Sequence, residues 1–236
     1  MIIGYIHIWQ KSGWEQIFDL ILKSLKESRL YDQTLEIRIG IVSDNAIFHR
    51  NNCLDDRKFK IIYNGHSEEC ERPTLLHMRS SSELDPPSTL YWYLHTKGIS
   101  HLGTDIESNV IDWVKMMLYW NVERYQNAVE ALLTYDTYGC NYNFKHYSGN
   151  FWWATRNHIK RLPDFIDSYY TAPEDWVCTF SKRIFCAFKS GYKAYHYKYR
   201  FPRSHYIGFG LYYHKFIGYY IIRCKIKMLR SLGLHQ

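Results

Sequence analysis

The sequence predicts an α/β fold in which a mixed, mainly parallel central sheet is flanked by helices. Short apolar runs alternate with segments whose apolar residues recur at helical spacing, as expected for strand-helix-strand units. Several of these runs end at polar residues and glycines, which mark turns. With 236 residues, the chain can bury one sizeable core without disulfides or a structural metal. We expect one domain over residues 1–208, followed by a basic, aromatic extension over residues 209–236.

The chain opens with a strand and a helix. Ile2 to Ile8 is an apolar run typical of a strand, and the apolar residues from Trp14 to Leu25 then fall at helical spacing. Leu35 to Ile41 alternates apolar and polar residues, which predicts a half-buried strand that ends at Ser43-Asp44-Asn45. Phe59 to Tyr63 is predicted to be a third, short strand.

The predicted elements continue to Tyr199. Pro73 is suited to open a helix, because it lacks the backbone N–H that the first turn leaves unpaired. The later elements are, in chain order, a strand over Thr89 to Leu94, a long helix from about Asn109 to Leu133, strands over Tyr138 to Tyr142 and Phe151 to Ala154, a helix after Pro173, and a last strand over Tyr192 to Tyr199. In the helix after Pro173 we expect four apolar residues to point inward: Trp176, Val177, Phe180 and Phe185.

Charge is distributed unevenly along the chain. The net charge is +7, yet residues 181–236 contain 12 Lys and Arg and no Asp or Glu, which leaves 18 basic and 23 acidic residues in 1–180. A basic end on an acidic body indicates an anionic partner, namely a membrane surface, a nucleic acid or a phosphorylated substrate, unless the charge serves only solvation. For Phe209 to Leu234, a helix lying on an anionic membrane and a helix closing over the body are both open.

The cysteines and the apolar runs indicate a cytoplasmic protein. The six cysteines form no CxxC pair and have no accompanying paired histidines, so we expect reduced thiols rather than a disulfide framework or a zinc site. The first residues lack the features of a signal peptide, and no apolar run approaches the roughly 20 residues that span a bilayer. We therefore predict a cytoplasmic protein whose membrane contact, if it has one, is peripheral and made through the C-terminal region.

The strand Thr89 to Leu94 is followed by His95-Thr96-Lys97-Gly98, which joins an imidazole, a hydroxyl, a cation and a glycine. Open α/β sheets bind ligands at the carboxyl edge of their strands. A lysine suits a phosphate as a point charge, and a glycine lets the main chain approach a ligand closely. A strand that runs into an ordinary turn has the same pattern, so the motif alone leaves both interpretations open.

Two later segments supply candidate ligand-binding and catalytic groups. Gly149-Asn150-Phe151-Trp152-Trp153 combines a turn with two adjacent tryptophans. Neighbouring side chains in a strand face opposite ways, so one tryptophan would line a cleft suited to a sugar or base while the other enters the core. The alternative is that both tryptophans pack in the protein interior. Pro173-Glu174-Asp175 places two carboxylates at a helix start, where one would be a general base or both ordinary helix-start residues.

In this order, the three segments resemble nucleotide-sugar glycosyltransferases of the GT-A fold. Leu94-His95-Thr96-Lys97-Gly98 is similar to the HTK motif of the rhamnan-synthesis glycosyltransferase family and of small glycosyltransferases of large DNA viruses (chlorella-virus type). Ile6-His7-Ile8-Trp9 with Gly13-Trp14-Glu15 is similar to the start of the viral enzymes. The likeness covers residues 1 to about 200 and implies a Rossmann-like GT-A domain. Its activity would be transfer of a hexosyl or deoxyhexosyl group from a nucleotide-diphosphate sugar, a UDP-sugar first, to a hydroxyl of a glycan or glycoprotein, with viral capsid glycan as one acceptor.

The resemblance also implies roles for particular residues. Asp175 matches the aspartate base of the X-Glu-Asp segment in inverting members, and Glu174 lies beside it. Acceptor or sugar binding falls to the glycine turn and the tryptophans, namely Ser148, Gly149, Asn150, Trp152 and Trp153. Contact with the nucleotide sugar falls to residues at strand ends and in the HTK motif, namely Ile6, His7, Trp9, Asp44, His95, Thr96, Lys97 and Gly98.

The Asp-X-Asp metal motif of the GT-A fold is missing where it is expected. That strand end carries His95-Thr96-Lys97, and the nearest acidic pair, Asp105-Ile106-Glu107, falls in a predicted loop. Lys97 with His95 would then do part of the electrostatic work of a metal at the diphosphate. A Mn or Mg ion stays an open expectation, with His196 or His205 as the late histidine that would bind it.

Two functions from other classes compete with a glycosyltransferase. The basic, tyrosine-rich end, Tyr192 to Arg230, would let a nucleic-acid-binding protein stack on bases and follow phosphates. A sugar-binding module without catalysis would use the same tryptophans. The order of the three motifs favours the glycosyltransferase and ranks nucleic acid below a nucleotide sugar as partner.

Overall fold

The computed structural model describes residues 1–143, 145–192 and 195–207. These residues form an α/β fold in which helices flank a mixed, mostly parallel sheet, as the sequence predicts. The extension over residues 209–236 lies outside the described residues, and so do the membrane and nucleic-acid predictions that rest on it. In the described part, none of the helices is long and apolar enough to cross a membrane.

The sheet orders its strands differently from the chain. The strands are β1 (Ile2–Trp9), β2 (Ile37–Ser43), β3 (Phe59–His66), β4 (Leu90–His95), β5 (Thr137–Gly139), β6 (Trp152–Thr155) and β7 (Ile184–Cys186). The helices are α1 (Trp14–Glu27), α2 (Leu30–Gln33), α3 (Arg72–Ser81), α4 (Glu107–Leu118), α5 (Tyr125–Ala131), α6 (Arg156–Arg161) and α7 (Ala172–Trp176). Among the described residues the order is β3-β2-β1-β4-β6-β5-β7, with β6 antiparallel to both neighbours and all other pairs parallel.

Helices α1 and α3 cover opposite faces of the sheet. Helix α1 connects β1 to β2 and buries Ile17, Phe18 and Ile21 in the cluster on one face. Helix α3 connects β3 to β4 and buries Leu75 and Met78 in the cluster on the other face. The winding of the chain therefore reverses between β1 and β4, and doubly wound sheets bind ligands at the carboxyl end of such a switch point.

Most elements predicted for the first half of the chain are confirmed, and β2 is the one that differs most. It begins at Ile37 rather than Leu35, which is 61% exposed. From Ile39 to Ser43 it is buried on both faces, so the prediction of a half-buried strand is wrong. The reason is that β2 lies between β1 and β3 with helices on both sides, so that a small residue, Gly40, occupies the side facing α3.

The long helix predicted from Asn109 to Leu133 is interrupted. A π-helical turn, Tyr119–Glu123, separates α4 from α5. Groups from the sheet satisfy carbonyls in this turn: the Tyr138 hydroxyl donates to the carbonyl of Trp120 at 3.0 Å, and Nε1 of Trp153 donates to that of Asn121 at 2.7 Å. A π-turn in a helix is often stabilised by such external partners, which periodicity in the sequence does not reveal.

The C-terminal predictions are partly wrong. Helix α7 has only five residues, and Phe180 lies beyond it with a φ of 59° and 74% exposure, so it does not point inward. Phe185 is partly buried, but in strand β7 rather than in a helix. The predicted strand over Tyr192 to Tyr199 is wrong for its described residues, which form turns. The predicted pair over Tyr138 to Tyr142 and Phe151 to Ala154 is confirmed as the antiparallel strands β5, which is shorter than predicted, and β6, which is shifted by one residue.

Candidate active site

A cavity of about 500 Å³ opens at the carboxyl ends of β1 and β4, and we call it the switch-point cavity. Strand β1 contributes His7 and Trp9, and the end of β4 contributes His95 and Lys97 with the intervening Thr96. Its size is that of a small-molecule site, and its place in the sheet is where the fold class binds ligands. With Gly98, which also lines the cavity, the structure brings together six of the eight residues that the sequence assigns to nucleotide-sugar binding.

Thr96 locks the two strand ends at the floor of this cavity. Its backbone N–H donates to the carbonyl of His7 at 3.0 Å, and its hydroxyl oxygen accepts from the backbone N–H of Trp9, also at 3.0 Å. The side chain is 3% exposed. The hydroxyl thus continues the hydrogen bonding between β1 and β4 beyond the sheet, which fixes the spacing of the side chains that face the cavity.

Lys97 and Glu174 meet across the cavity although they are far apart in sequence. The Nζ atom of Lys97 donates to Oε1 of Glu174 at 3.1 Å, and the two side chains are 23% and 22% exposed. The ammonium also lies 5.4 Å from the ring centroid of Trp113. Both side chains are mostly buried but line the cavity, so a ligand that enters the cavity reaches the pair. A ligand with a stronger negative charge can therefore displace the carboxylate from Lys97.

Gly98 is required for the turn that follows Lys97. Its φ is +89°, and a Cβ atom would lie 2.2 Å from Cγ1 of Val110 on α4. Only glycine fits such a left-handed position without both backbone strain and a clash. The sequence assigned Gly98 to ligand approach, and the structure adds a packing requirement against α4.

His95 is held neutral at the inner wall of the cavity. Its Nε2 atom lies 2.7 Å from the carbonyl oxygen of Gly149, which can only accept, so Nε2 carries the hydrogen. Burial, and next the charge of Lys97, lower the pKa of His95 to about 3. At neutral pH its Nδ1 atom is therefore a hydrogen-bond acceptor, facing Oε1 of Glu71 at 3.5 Å.

Glu71 lines the cavity and is one of the site residues that sequence reasoning missed. Its Oε2 atom accepts from the Tyr93 hydroxyl at 2.9 Å and from Nδ2 of Asn150. Burial raises its pKa above the ordinary value for glutamate. In the sequence it stands two positions before Pro73, where an acidic residue is ordinary helix-start chemistry. No signal in the sequence distinguishes it from a helix cap.

His7 completes the same wall. Its Nδ1 atom lies 2.8 Å from the hydroxyl of Thr74 on α3, and the residue is 4% exposed. Burial lowers its pKa to about 4, so the imidazole is neutral at physiological pH. This wall thus presents neutral imidazoles and one carboxyl group, whereas Lys97, the one lysine among the described residues that line the cavity, contacts Glu174 on α7.

Several predicted site residues lie outside the cavity. Ile6 is fully buried in the core, so the prediction that it contacts the nucleotide is wrong. Asp44 is exposed and accepts from Nε1 of Trp9 at 2.9 Å, which places it beside the cavity without lining it. Trp152 and Trp153 are both fully buried, on opposite faces of the sheet. The prediction that one of them lines a cleft is therefore wrong, and the alternative that both pack is confirmed.

The glycine turn supports the cavity from behind. Ser148 accepts from Nε1 of Trp113 at 2.9 Å, Gly149 accepts from His95, and Asn150 bridges Glu71 to Nε1 of Trp152. All three turn residues are buried. They hold cavity residues in place rather than contact a ligand directly.

The two adjacent carboxylates on α7 face different surroundings. Glu174 lines the cavity, whereas Asp175 does not. The Oδ1 atom of Asp175 lies 3.2 Å from Nδ1 of His146, and its Oδ2 atom accepts from the Tyr169 hydroxyl at 3.3 Å. The resemblance assigned the base to Asp175, but Glu174 is the carboxylate in the cavity.

The two histidines expected to bind Mn or Mg, His196 and His205, lie outside the switch-point cavity. His196 is 1% exposed and bonded to Asn141 and Ser190, outside the cavity, and His205 lies edge-on to Phe201. In the described ranges, no group of three or more His, Cys, Asp or Glu side chains is arranged to hold a metal ion. The expected ligand role of His196 or His205 therefore has no support from their positions.

Comparisons with known proteins leave the family open. No protein-family model, no curated protein and no solved structure matches this chain. The resemblance to GT-A glycosyltransferases consequently stays a prediction, and function has to be argued from the switch-point cavity.

Proposed function

We propose that the chain is a glycosyltransferase of the GT-A type, which moves a sugar from a nucleotide-diphosphate sugar to a hydroxyl of a glycan or glycoprotein. A UDP-sugar is the first donor to test. The observation that carries the proposal is the meeting of Lys97 and Glu174 at 3.1 Å inside a cavity at the switch point of the sheet. This transfer needs at least one cation to stabilise the leaving group and one carboxylate to take a proton from the nucleophile.

Lys97 is assigned to the diphosphate. In the transfer, the bond between the anomeric carbon and the diphosphate oxygen breaks, and the nucleoside diphosphate leaves with both electrons of that bond. The Lys97 ammonium stabilises the charge that develops on the leaving oxygen. A diphosphate competes well for this lysine, because it carries more negative charge than the single Glu174 carboxylate that it displaces.

Glu174 is assigned as the general base. It takes the proton of the acceptor hydroxyl while the hydroxyl oxygen forms the new bond to the anomeric carbon, so that atoms and charge balance. Release from Lys97 on donor binding frees its Oε1 atom for this role. A single carboxylate base acting on the acceptor predicts inversion at the anomeric carbon.

The acceptor is assigned to the mouth of the cavity. Tyr170 and Tyr197 line it there with 85% and 37% of their surfaces exposed. Exposed aromatic faces with polar tips suit sugar rings. These tyrosines take the place that the sequence prediction gave to Trp152 and Trp153.

A donor screen with a lysine variant tests the proposal. We expect one nucleotide sugar to raise the melting temperature and to be hydrolysed or transferred, with and without chelator as separate arms. Lys97→Met should weaken nucleoside-diphosphate binding by about 10- to 100-fold, the value of one charge-assisted hydrogen bond. Lys160→Met is the matched control, because Lys160 pairs with Glu83 on the surface, where both side chains are 43% exposed.

A carboxylate pair tests the assignment of the base. Glu174→Gln should lower the transfer rate by about 10²- to 10⁴-fold while donor binding persists. Asp175→Asn tests the competing assignment, and a larger loss there than in Glu174→Gln would return the role to Asp175. If no nucleotide sugar stabilises the protein or reacts, and Lys97→Met changes nothing, the transferase proposal fails. Glycan binding without turnover would instead support a sugar-binding module.

A further inference from the structure

The inner wall of the switch-point cavity holds two acceptors that face each other with no donor between them. Nδ1 of His95 and Oε1 of Glu71 are 3.5 Å apart. Nδ1 is an acceptor because Nε2 of the same ring donates to the Gly149 carbonyl. Oε1 takes part in no hydrogen bond among the described residues, since the Tyr93 and Asn150 donors both reach Oε2. While Glu71 is ionised, these two lone pairs have no hydrogen between them, and a ligand hydroxyl can supply one.

The surroundings restrict what can supply that hydrogen. Glu71 is 14% exposed and His95 10% exposed in their side chains, so bulk water has little access. A phosphate brings oxygen acceptors and negative charge, which the Glu71 carboxylate would repel and the Lys97 ammonium, next to Glu174, would attract. A neutral hydroxyl brings a donor and no charge.

His7 supplies a third group suited to hydroxyls. It is 4% exposed and lines the cavity, and within the described residues its Nε2 atom has no hydrogen-bond partner, since only Nδ1 is bonded, to Thr74. A neutral imidazole nitrogen either donates or accepts a hydrogen bond, and a hydroxyl can be its partner in both cases. One carboxyl and two neutral imidazoles on a single wall therefore match a pair of adjacent hydroxyls better than any charged group.

We propose that Glu71, with His95 and His7, binds a vicinal hydroxyl pair of the donor nucleotide sugar. The pair belongs either to the ribose of the nucleotide or to the transferred sugar. This inference rests on the proposed function, and it assigns recognition to Glu71 while the chemistry stays with Lys97 and Glu174. Asn150 and Tyr93 are positioning residues, because they hold Oε2 and leave Oε1 for the ligand.

Ligand analogues test the proposal on the unaltered protein. Calorimetry would compare UDP with 2′-deoxy-UDP, and UDP-glucose with its 2-deoxyglucose analogue. Loss of a hydroxyl that reaches Glu71 should weaken binding by about 10-fold, the value of a hydrogen bond to a charged group. Weaker binding of 2′-deoxy-UDP identifies ribose as the source, and weaker binding of the deoxy-sugar analogue alone identifies the transferred sugar.

Glu71→Gln connects the effect to the residue. The variant should bind the parent ligand about 10-fold more weakly and should bind the deoxy analogue as the unaltered protein does. Glu130→Gln is the matched control, because Glu130 is exposed on α5 and does not line the cavity. If Glu71→Gln fails to fold, the comparison of parent and deoxy ligands on the unaltered protein decides the question.

Two failures are distinguishable. If UDP and UDP-glucose bind and every deoxy analogue binds equally well, the assignment of Glu71 is overturned while the proposed function stands. If neither these ligands nor other nucleotide sugars bind at all, both the proposed function and the assignment of Glu71 are overturned.

Discussion

His196 should make the fold sensitive to mild acid. The residue is 1% exposed, its Nε2 atom accepts from Asn141 and Ser190, and Nδ1 has no partner within the described residues. Its ring stacks on Trp113 at 5.8 Å, and burial lowers its pKa to about 4. Because the folded protein resists protonation at His196 and the unfolded chain does not, stability is lost as the pH falls below about 6.5, the ordinary histidine pKa, and the loss stops near the folded pKa.

The size of the effect follows from the two pKa values. Between about pH 7.5 and about pH 5, a change from 6.5 in the unfolded chain to about 4 in the fold costs about 2 kcal/mol of unfolding free energy. For a chain of this length that corresponds to roughly 4–8 °C in melting temperature. Urea unfolding across this pH range, monitored by circular dichroism, gives the summed loss from all buried histidines, including His7 and His95, so the share of His196 is the difference between the unaltered protein and a His196 variant.

A variant separates protonation from packing. His196→Gln removes the titrating group, so its unfolding free energy should be lower at neutral pH but should fall by about 2 kcal/mol less on acidification than that of the unaltered protein. His49→Gln is the control, since His49 is exposed. Equal pH slopes for the unaltered protein and His196→Gln would refute the reasoning, because packing loss alone shifts the curve without changing its slope.

Two further predictions concern the frame of the site. Gly98→Ala should destabilise the fold by about 2–4 kcal/mol, because it adds backbone strain and a clash with Val110. Gly103 has a φ of +74° and nothing within 4 Å of its Cβ position, so Gly103→Ala should cost only the backbone strain. The melting temperatures of the two variants give the comparison. Arg38→Met should cost about 3 kcal/mol in urea unfolding, since it leaves Asp85 uncompensated in a pair whose side chains are both 13% exposed, and an unchanged midpoint would contradict this.

The sequence was sufficient for the parts of the fold that depend on local pattern. Strand β1, helix α1 and the helix opened by Pro73 follow from periodicity and capping within one segment. The π-turn Tyr119–Glu123 was not predictable, because its stabilising donors come from Tyr138 and Trp153 across the core. Burial of β2 on both faces likewise depends on helices from other parts of the chain. The alternation of apolar and polar residues within one strand does not reveal those helices.

Part of the candidate site was likewise predictable from local sequence, and part was not. His95, Thr96 and Lys97 were predictable because they end a strand, and strand ends in a parallel sheet share one edge. Glu71 was not, since its burial arises from Tyr93 and Asn150, which approach from a strand and a turn elsewhere in the chain. Residues that a distant segment buries leave no local pattern.

The choice between Glu174 and Asp175 depends on the rotation of helix α7. Adjacent side chains on a helix diverge by about 100°, so of two neighbouring carboxylates only one can face a given cavity. The rotation is fixed by Trp176, which is 3% exposed and donates from Nε1 to the carbonyl of Pro163 at 3.1 Å. With Trp176 turned into the core, Glu174 faces Lys97 and Asp175 faces His146. The sequence motif contains both acids, whereas the packing of Trp176 decides which of them faces the cavity. A substitution that loosens Trp176 should therefore impair the catalytic step more than donor binding.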